Sequence, residues 1–142
     1  FLPLQIEVHQ WSDRKKKVAR LLLPMIVFVR LNQEEKAILQ RFPDIFKFLK
    51  DRVHKDSLMV VPDDQMQRFI FMVTRADTEV SLEPPVFHRG DMVRICKGSL
   101  RGLEGNIVCC PDGSAKVVIR IGHLACASVV VPVEMLESRH CR

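Results

Sequence analysis

The chain has 142 residues, 47% hydrophobic and 27% charged, which suits one medium domain or two small ones. It carries no run of 18 apolar residues and no signal-peptide pattern, so neither a membrane span nor secretion is expected. The net charge of +5 is compatible with a nucleic-acid or ribosomal partner and too small to require one.

Taken in chain order, Leu4–Val8 reads as a strand. Trp11-Ser12-Asp13-Arg14-Lys15-Lys16-Lys17 follows as a loop holding the densest basic run. Met25–Leu31 reads as a second strand. Asn32 with Glu35 three residues on is a capping-box pattern, and predicts a helix that runs to about Phe42 and stops before Pro43. Ile45–Leu49 and Leu58–Val61 are further short strand candidates. Pro62-Asp63-Asp64 opens a second helix, with acids at the positive end of its dipole. Met66, Phe69, Ile70 and Val73 recur at helical spacing, so this helix should bury one face. The mixture predicts an α+β domain over residues 1–77.

Residues 78–88 are acidic, polar and interrupted by Pro84-Pro85, and read as a linker. Residues 89–140 read as all-β, with strands at Met92–Cys96, Gly105–Cys110, Lys116–Ile121, Ala125–Val131 and Val133–Leu136. Pro111-Asp112-Gly113-Ser114 and Ile121-Gly122-His123 supply turns. Five short strands suit a small closed barrel, which leaves no exposed edge.

Gly90-Asp91-Met92-Val93-Arg94-Ile95, then Gly98, Gly102, Gly105 and Ile107-Val108, is strand, glycine turn, strand. No helix follows the glycines, so a dinucleotide cradle is excluded. The pattern resembles the KOW motif of NusG-type transcription factors and some ribosomal proteins. Three further patches resemble the NusG N-terminal (NGN) domain: Phe1-Leu2-Pro3-Leu4 with Glu7-Val8, Leu21 through Arg30, and Val60 through Met66. The Trp11–Lys17 stretch resembles the UpxY-type antiterminators of polysaccharide operons. The resemblance implies an NGN-like antiparallel sheet with helices, followed by an SH3-like KOW barrel. It also implies a strand and a helix ahead of Phe1, so this NGN domain is expected to be incomplete; a second copy of the chain is an expected partner if it replaces them. Met25 and Ile26 stand where the family has Gly and Tyr, which predicts loss of the tight glycine turn.

The family implies RNA polymerase binding through an apolar patch, carried here by Leu23, Pro24 and Ile26 with Phe42 and Phe46. Arg14, Lys15, Lys16 and Lys17 are candidate phosphate contacts to nucleic acid. Arg94, Lys97, Arg101 and Leu103 flank the glycine turn, where the family docks a ribosomal protein, a termination factor or RNA. The expected function is therefore bacterial transcription antitermination or elongation in the cytoplasm. A ribosome-associated or RNA-binding KOW protein without polymerase binding is the alternative. Five cysteines with no C-x-x-C pair predict reduced, mostly buried thiols. His123-x-x-Cys126 and His140-Cys141 match no standard zinc spacing, so no metal is expected. No nucleophile elbow, P-loop or paired His/carboxylate motif occurs, so neither an enzyme nor a cofactor is expected.

Overall fold

The structure, a computed structural model, describes residues 1–44, 47–85 and 90–138. Its first element is a hairpin: β1 (Leu4–Gln10) pairs antiparallel with β2 (Lys15–Leu21), with Leu4 opposite Leu21 and Gln10 opposite Lys15. The hairpin extends further than expected, because Lys15, Lys16 and Lys17 begin β2 instead of lying in the loop. Residues directly across an antiparallel pair share a face. One face therefore carries Leu4, Ile6, Val8 and Leu21, all exposed. The other carries Gln5 and Arg20, which reach the rest of the molecule, with Glu7 beside Arg20.

Residues 25–31 do not form the expected strand. A strand needs a neighbour to bond along its length. Here only Phe28 finds one, donating its N–H to Phe1 O at 2.9 Å and accepting from the Phe1 ammonium at 2.6 Å. α1 (Gln33–Leu39) starts at the capping box: Glu35 N–H donates to Asn32 Oδ1 and Asn32 N–H to Glu35 Oε2, both at 2.8 Å. It ends before Phe42 and buries no residue, so its caps hold it rather than a packed face. The Leu58–Val61 candidate is reduced to a single bridge between Lys50 and Leu58. Phe46 and part of the Ile45–Leu49 candidate lie outside the described residues, as do His140 and Cys141.

α2 (Asp63–Arg75) is the pivot of the fold. Its expected face is buried through Phe69 and Val73, with Met72 added. The face rests on a six-stranded antiparallel sheet in the order β3-β7-β6-β5-β4-β8, and α2 packs against β6. The strands are β3 (Val80–Glu83), β4 (Met92–Ile95), β5 (Glu104–Cys109), β6 (Ala115–Ile121), β7 (Ala125–Val131) and β8 (Leu136–Ser138). A 3-10 turn over Val133–Met135 replaces the start of the last expected strand.

Within the stretch read as a linker, residues 80–83 form a strand. Val80 opposes Val129 and Glu83 opposes Cys126. β7 is buried on both sides except at Val130, and its outer backbone groups need a partner away from water. β3 supplies it, and Val80 itself is fully buried. One apolar cluster thus joins Leu22, Phe69, Met72 and Val73 to Val80, Val93, Ile119 and Val129. The two parts of the chain share a core.

Two glycines have a steric reason. Gly113 has φ +83 in the β5–β6 turn, where Asp112 Oδ1 accepts from Ser114 N–H at 2.9 Å. At Gly105 a Cβ would stand 2.7 Å from Val117 Cγ1 and 2.8 Å from Val118 O. The cysteines depart from expectation: Cys126 is buried, Cys96 and Cys110 are half-buried, and Cys109 is exposed.

Candidate functional site

After β2 the chain bends and turns over residues 22–25 and runs on without regular structure to residue 31. Leu22 is in the core and Phe28 packs against it, with its ring centroid 5.9 Å from that of Phe69. Phe1 completes the aromatic trio at 6.0 Å from Phe69. Pro24, Met25, Val27 and Val29 face solvent, whereas Leu23 and Ile26 are half-buried. Phe42 is half exposed. The residues read as an apolar contact patch therefore split: Pro24 and Phe42 are accessible, Leu23 and Ile26 only in part. Val27 and Val29 are more exposed members that the sequence reading left out.

The glycine turn expected to be lost at residue 25 is replaced rather than removed. Met25 has φ +63, the left-handed region that a side chain occupies at a cost of about 1–2 kcal/mol. Its side chain is wholly exposed, so nothing in its packing offsets that cost.

At the hairpin tip, Trp11 N–H donates to Arg14 O at 2.8 Å. Trp11 is exposed, and Lys16 Nζ sits 5.9 Å from its ring centroid. Arg14, Lys15, Lys16 and Lys17 are all exposed, Lys15 and Lys17 on the face of Val8 and Lys16 on the opposite one beside Trp11, so the tip is cationic on both faces. Asp13 lies 3.9 Å from Arg14, a weak surface pair that leaves the positive field largely intact.

Around the glycine turn, Arg94 is exposed but engaged: Nη2 and Nε donate to Glu104 Oε1 at 2.6 and 3.0 Å. Lys97 and Arg101 are exposed. Leu103, grouped with them as a contact residue, is 3% exposed and belongs to the core cluster. Its side chain is drawn inward because Gly102, at φ +94, turns the chain back under the sheet.

The seam between the first part and the sheet is polar at its rim. Gln5 Nε2 donates to Thr78 O at 2.7 Å, and Gln5 Oε1 accepts from Val80 N–H at 2.9 Å. Arg20 donates to Glu79, which raises its pKa above the ordinary value with further help from Glu7. Glu7 Oε1 lies 3.0 Å from Arg20 Nη1 without hydrogen-bond geometry, so that contact is Coulombic. Across the sheet edge, Lys116 donates to Glu83 at 3.2 Å, and this bond raises the lysine pKa.

At the other end of the seam, Gly122 N–H donates to Gln65 Oε1 at 2.8 Å. Asp51 Oδ2 lies 2.9 Å from His123 Nδ1, and an ionised carboxylate can only accept, so the ring N–H donates. That bond, followed by the Val53 N–H at 2.8 Å, lowers the Asp51 pKa to about 2. His123 is thus engaged by a carboxylate across the seam. Asp51, Gln65, Gly122 and His123 line, with Arg120, a cleft of about 470 Å³. Sequence reading had no signal for these pairs, which join residues 57–75 positions apart.

Among the described residues no three His, Cys, Asp or Glu side chains cluster as metal ligands would, and no helix is long and apolar enough to cross a membrane. Residues 1–70 match the family model described as transcription termination factor nusG. The similarity covers the hairpin, the segment after it, α1 and the first part of α2. No curated protein and no solved structure matches the chain.

Proposed function

We propose that this chain is a NusG-type transcription elongation and antitermination factor, allied to the UpxY-type antiterminators, that binds RNA polymerase through residues 1–77. The observation that carries the reading is the group of exposed apolar side chains Pro24, Met25, Val27 and Val29 inside the span matched to the NusG family. Val27 and Val29 are exposed, with Phe42 as a further exposed apolar side chain, and water disfavours such surface, which an apolar-faced helix of a partner would cover. Leu23 and Ile26 support that surface from below.

The basic hairpin tip contacts phosphates of nucleic acid held by the polymerase, adding affinity that falls with salt. The sheet acts as the KOW domain and recruits RNA or a second protein through Arg94, Lys97 and Arg101. The chain works by binding in the cytoplasm, with no chemical turnover and no cofactor. It shifts the polymerase away from pausing or termination for as long as it stays bound.

The test is co-purification with core RNA polymerase, together with read-through of a terminator in single-round transcription. Wild-type chain should be retained and should raise read-through, and Val27→Asp/Val29→Asp should abolish both while leaving the fold intact. No retention of the wild type, with salt-dependent binding to ribosomal RNA instead, would establish the alternative of an RNA-binding protein independent of polymerase.

A further inference from the structure

A groove of about 260 Å³ lies where α2 meets the glycine turn, lined by Arg68 and Phe71 on the helix, by Arg101 and Gly102 on the turn, and by Glu104 at the start of β5. Arg68, Phe71 and Arg75 are spaced three and four apart and form one stripe along α2. The Arg75 guanidinium sits 5.1 Å from the Phe71 ring centroid. Arg101 is exposed, and its side chain has no ion-pair or hydrogen-bond partner among the described residues. Arg68 is held only loosely, 3.8 Å from Asp64. The acid in the wall, Glu104, is paired across the strands with Arg94 at 2.6 Å. Nothing lies within 4 Å of where a Cβ at Gly102 would stand, so bare backbone forms that wall.

We propose that this groove binds single-stranded RNA, with a base against Phe71 and the flanking phosphates on Arg68 and Arg101. Charge complementarity requires an anionic occupant, and the aromatic ring decides which kind. An acidic peptide would use the guanidinium groups and leave Phe71 unmatched. A nucleotide uses both, because every base has a π face and guanidinium groups pair with phosphate in two-point geometry. The choice of RNA rests on the reading above, since a factor held on an elongating polymerase sits beside a single-stranded transcript. The groove takes one side from each part of the chain, so it exists only while α2 and the sheet stay packed together.

The test is fluorescence anisotropy of a labelled 12-nucleotide RNA between 50 and 200 mM NaCl, roughly the range over which phosphate contacts are read. Arg68→Ala/Arg101→Ala should weaken binding at least about tenfold and flatten the log–log salt slope by about 1.4, the value for two phosphate contacts on a single strand. Phe71→Leu keeps the side chain's packing and should weaken binding at least about fivefold with the slope unchanged. Arg101→Ala alone lies on an exposed turn and guards against a folding artefact. Unchanged affinity in these variants, loss confined to Lys15→Ala/Lys16→Ala/Lys17→Ala, preference for the matching DNA 12-mer, or tighter binding of a 12-residue Glu/Asp peptide would each overturn the proposal. Retention on polymerase is measured in parallel. Loss of RNA binding in the groove variants of a chain that never binds polymerase would sink the functional reading and leave the groove standing.

Discussion

Replacing Gln5 by Leu removes the two hydrogen bonds by which this side chain ties the hairpin to residues 78–80, leaving those of Arg20, while keeping most of the side-chain volume. Gln5 is 4% exposed and serves two backbone groups, Thr78 O at 2.7 Å and Val80 N–H at 2.9 Å. The two losses differ. Val80 is fully buried, so its orphaned N–H cannot turn to water, at a cost of about 1–3 kcal/mol. Thr78 is exposed and its carbonyl regains water, so only the net value of that bond is lost, about 0.5–1.5 kcal/mol. Together these give about 1.5–4.5 kcal/mol, which lowers the melting temperature by roughly 5–15 °C at this chain length. Gln5→Glu separates the contributions: an ionised carboxylate still accepts from Val80 N–H but offers Thr78 no donor and buries a charge. It should be the worse variant at pH 7 and recover as pH falls and the carboxyl takes up a proton. Urea unfolding read by Trp11 fluorescence and by far-UV circular dichroism should show one transition that shifts as a whole. A loss under about 0.5 kcal/mol for Gln5→Leu, or a hairpin signal that moves without the sheet signal, would refute both the bonding and the shared core.

Three other outcomes are expected. Phe69→Ala removes a fully buried ring packed edge-on against Phe1 and Phe28 and should cost about 3–5 kcal/mol in chemical denaturation. Met25→Gly should stabilise by up to about 1 kcal/mol, the relief of left-handed strain less the added freedom of the unfolded glycine; a loss of stability in thermal melts would contradict this. Asp51→Asn should be less stable than wild type above pH 4. A carboxylate whose pKa is lowered from 3.8 to about 2 on folding stabilises above its unfolded value and loses that contribution as pH falls through about 2, so melting curves of the two proteins should converge there.

Where local chemistry decided the outcome, the sequence was readable. Ala125–Val131 is a strand with the bounds expected, and Asp112-Gly113 turns as its residues require. α2 and the Asn32 capping box follow from spacing alone. The misreadings all concern partners far away in the chain. Residues 80–83 look like solvated spacer, yet β7 has a backbone edge that must be paired. Residues 25–31 have strand composition, but beside Phe28 only Phe1 offers bonds. Leu103 sits among cations in sequence and is turned into the core by Gly102. For the site, the cations of the hairpin were legible because they are consecutive. The groove was not, because Arg68 and Arg101 meet only once α2 has packed on the sheet.

The packing of α2 on β6 also sets an order of events at the ribosome. Phe69, Met72 and Val73 are synthesised well before β6 and β7, the strands whose cluster they join. At about 5–20 residues per second, the stretch from Arg75 to Val131 takes roughly 3–11 s to appear. Through that interval the helix has an oily side and nothing to lay it on. The hairpin likewise waits for Val80 to be fixed before Gln5 has anything to hold. Nascent chains of this protein should therefore be protease-sensitive in their first half until the second half has emerged, and then become resistant in a single late step.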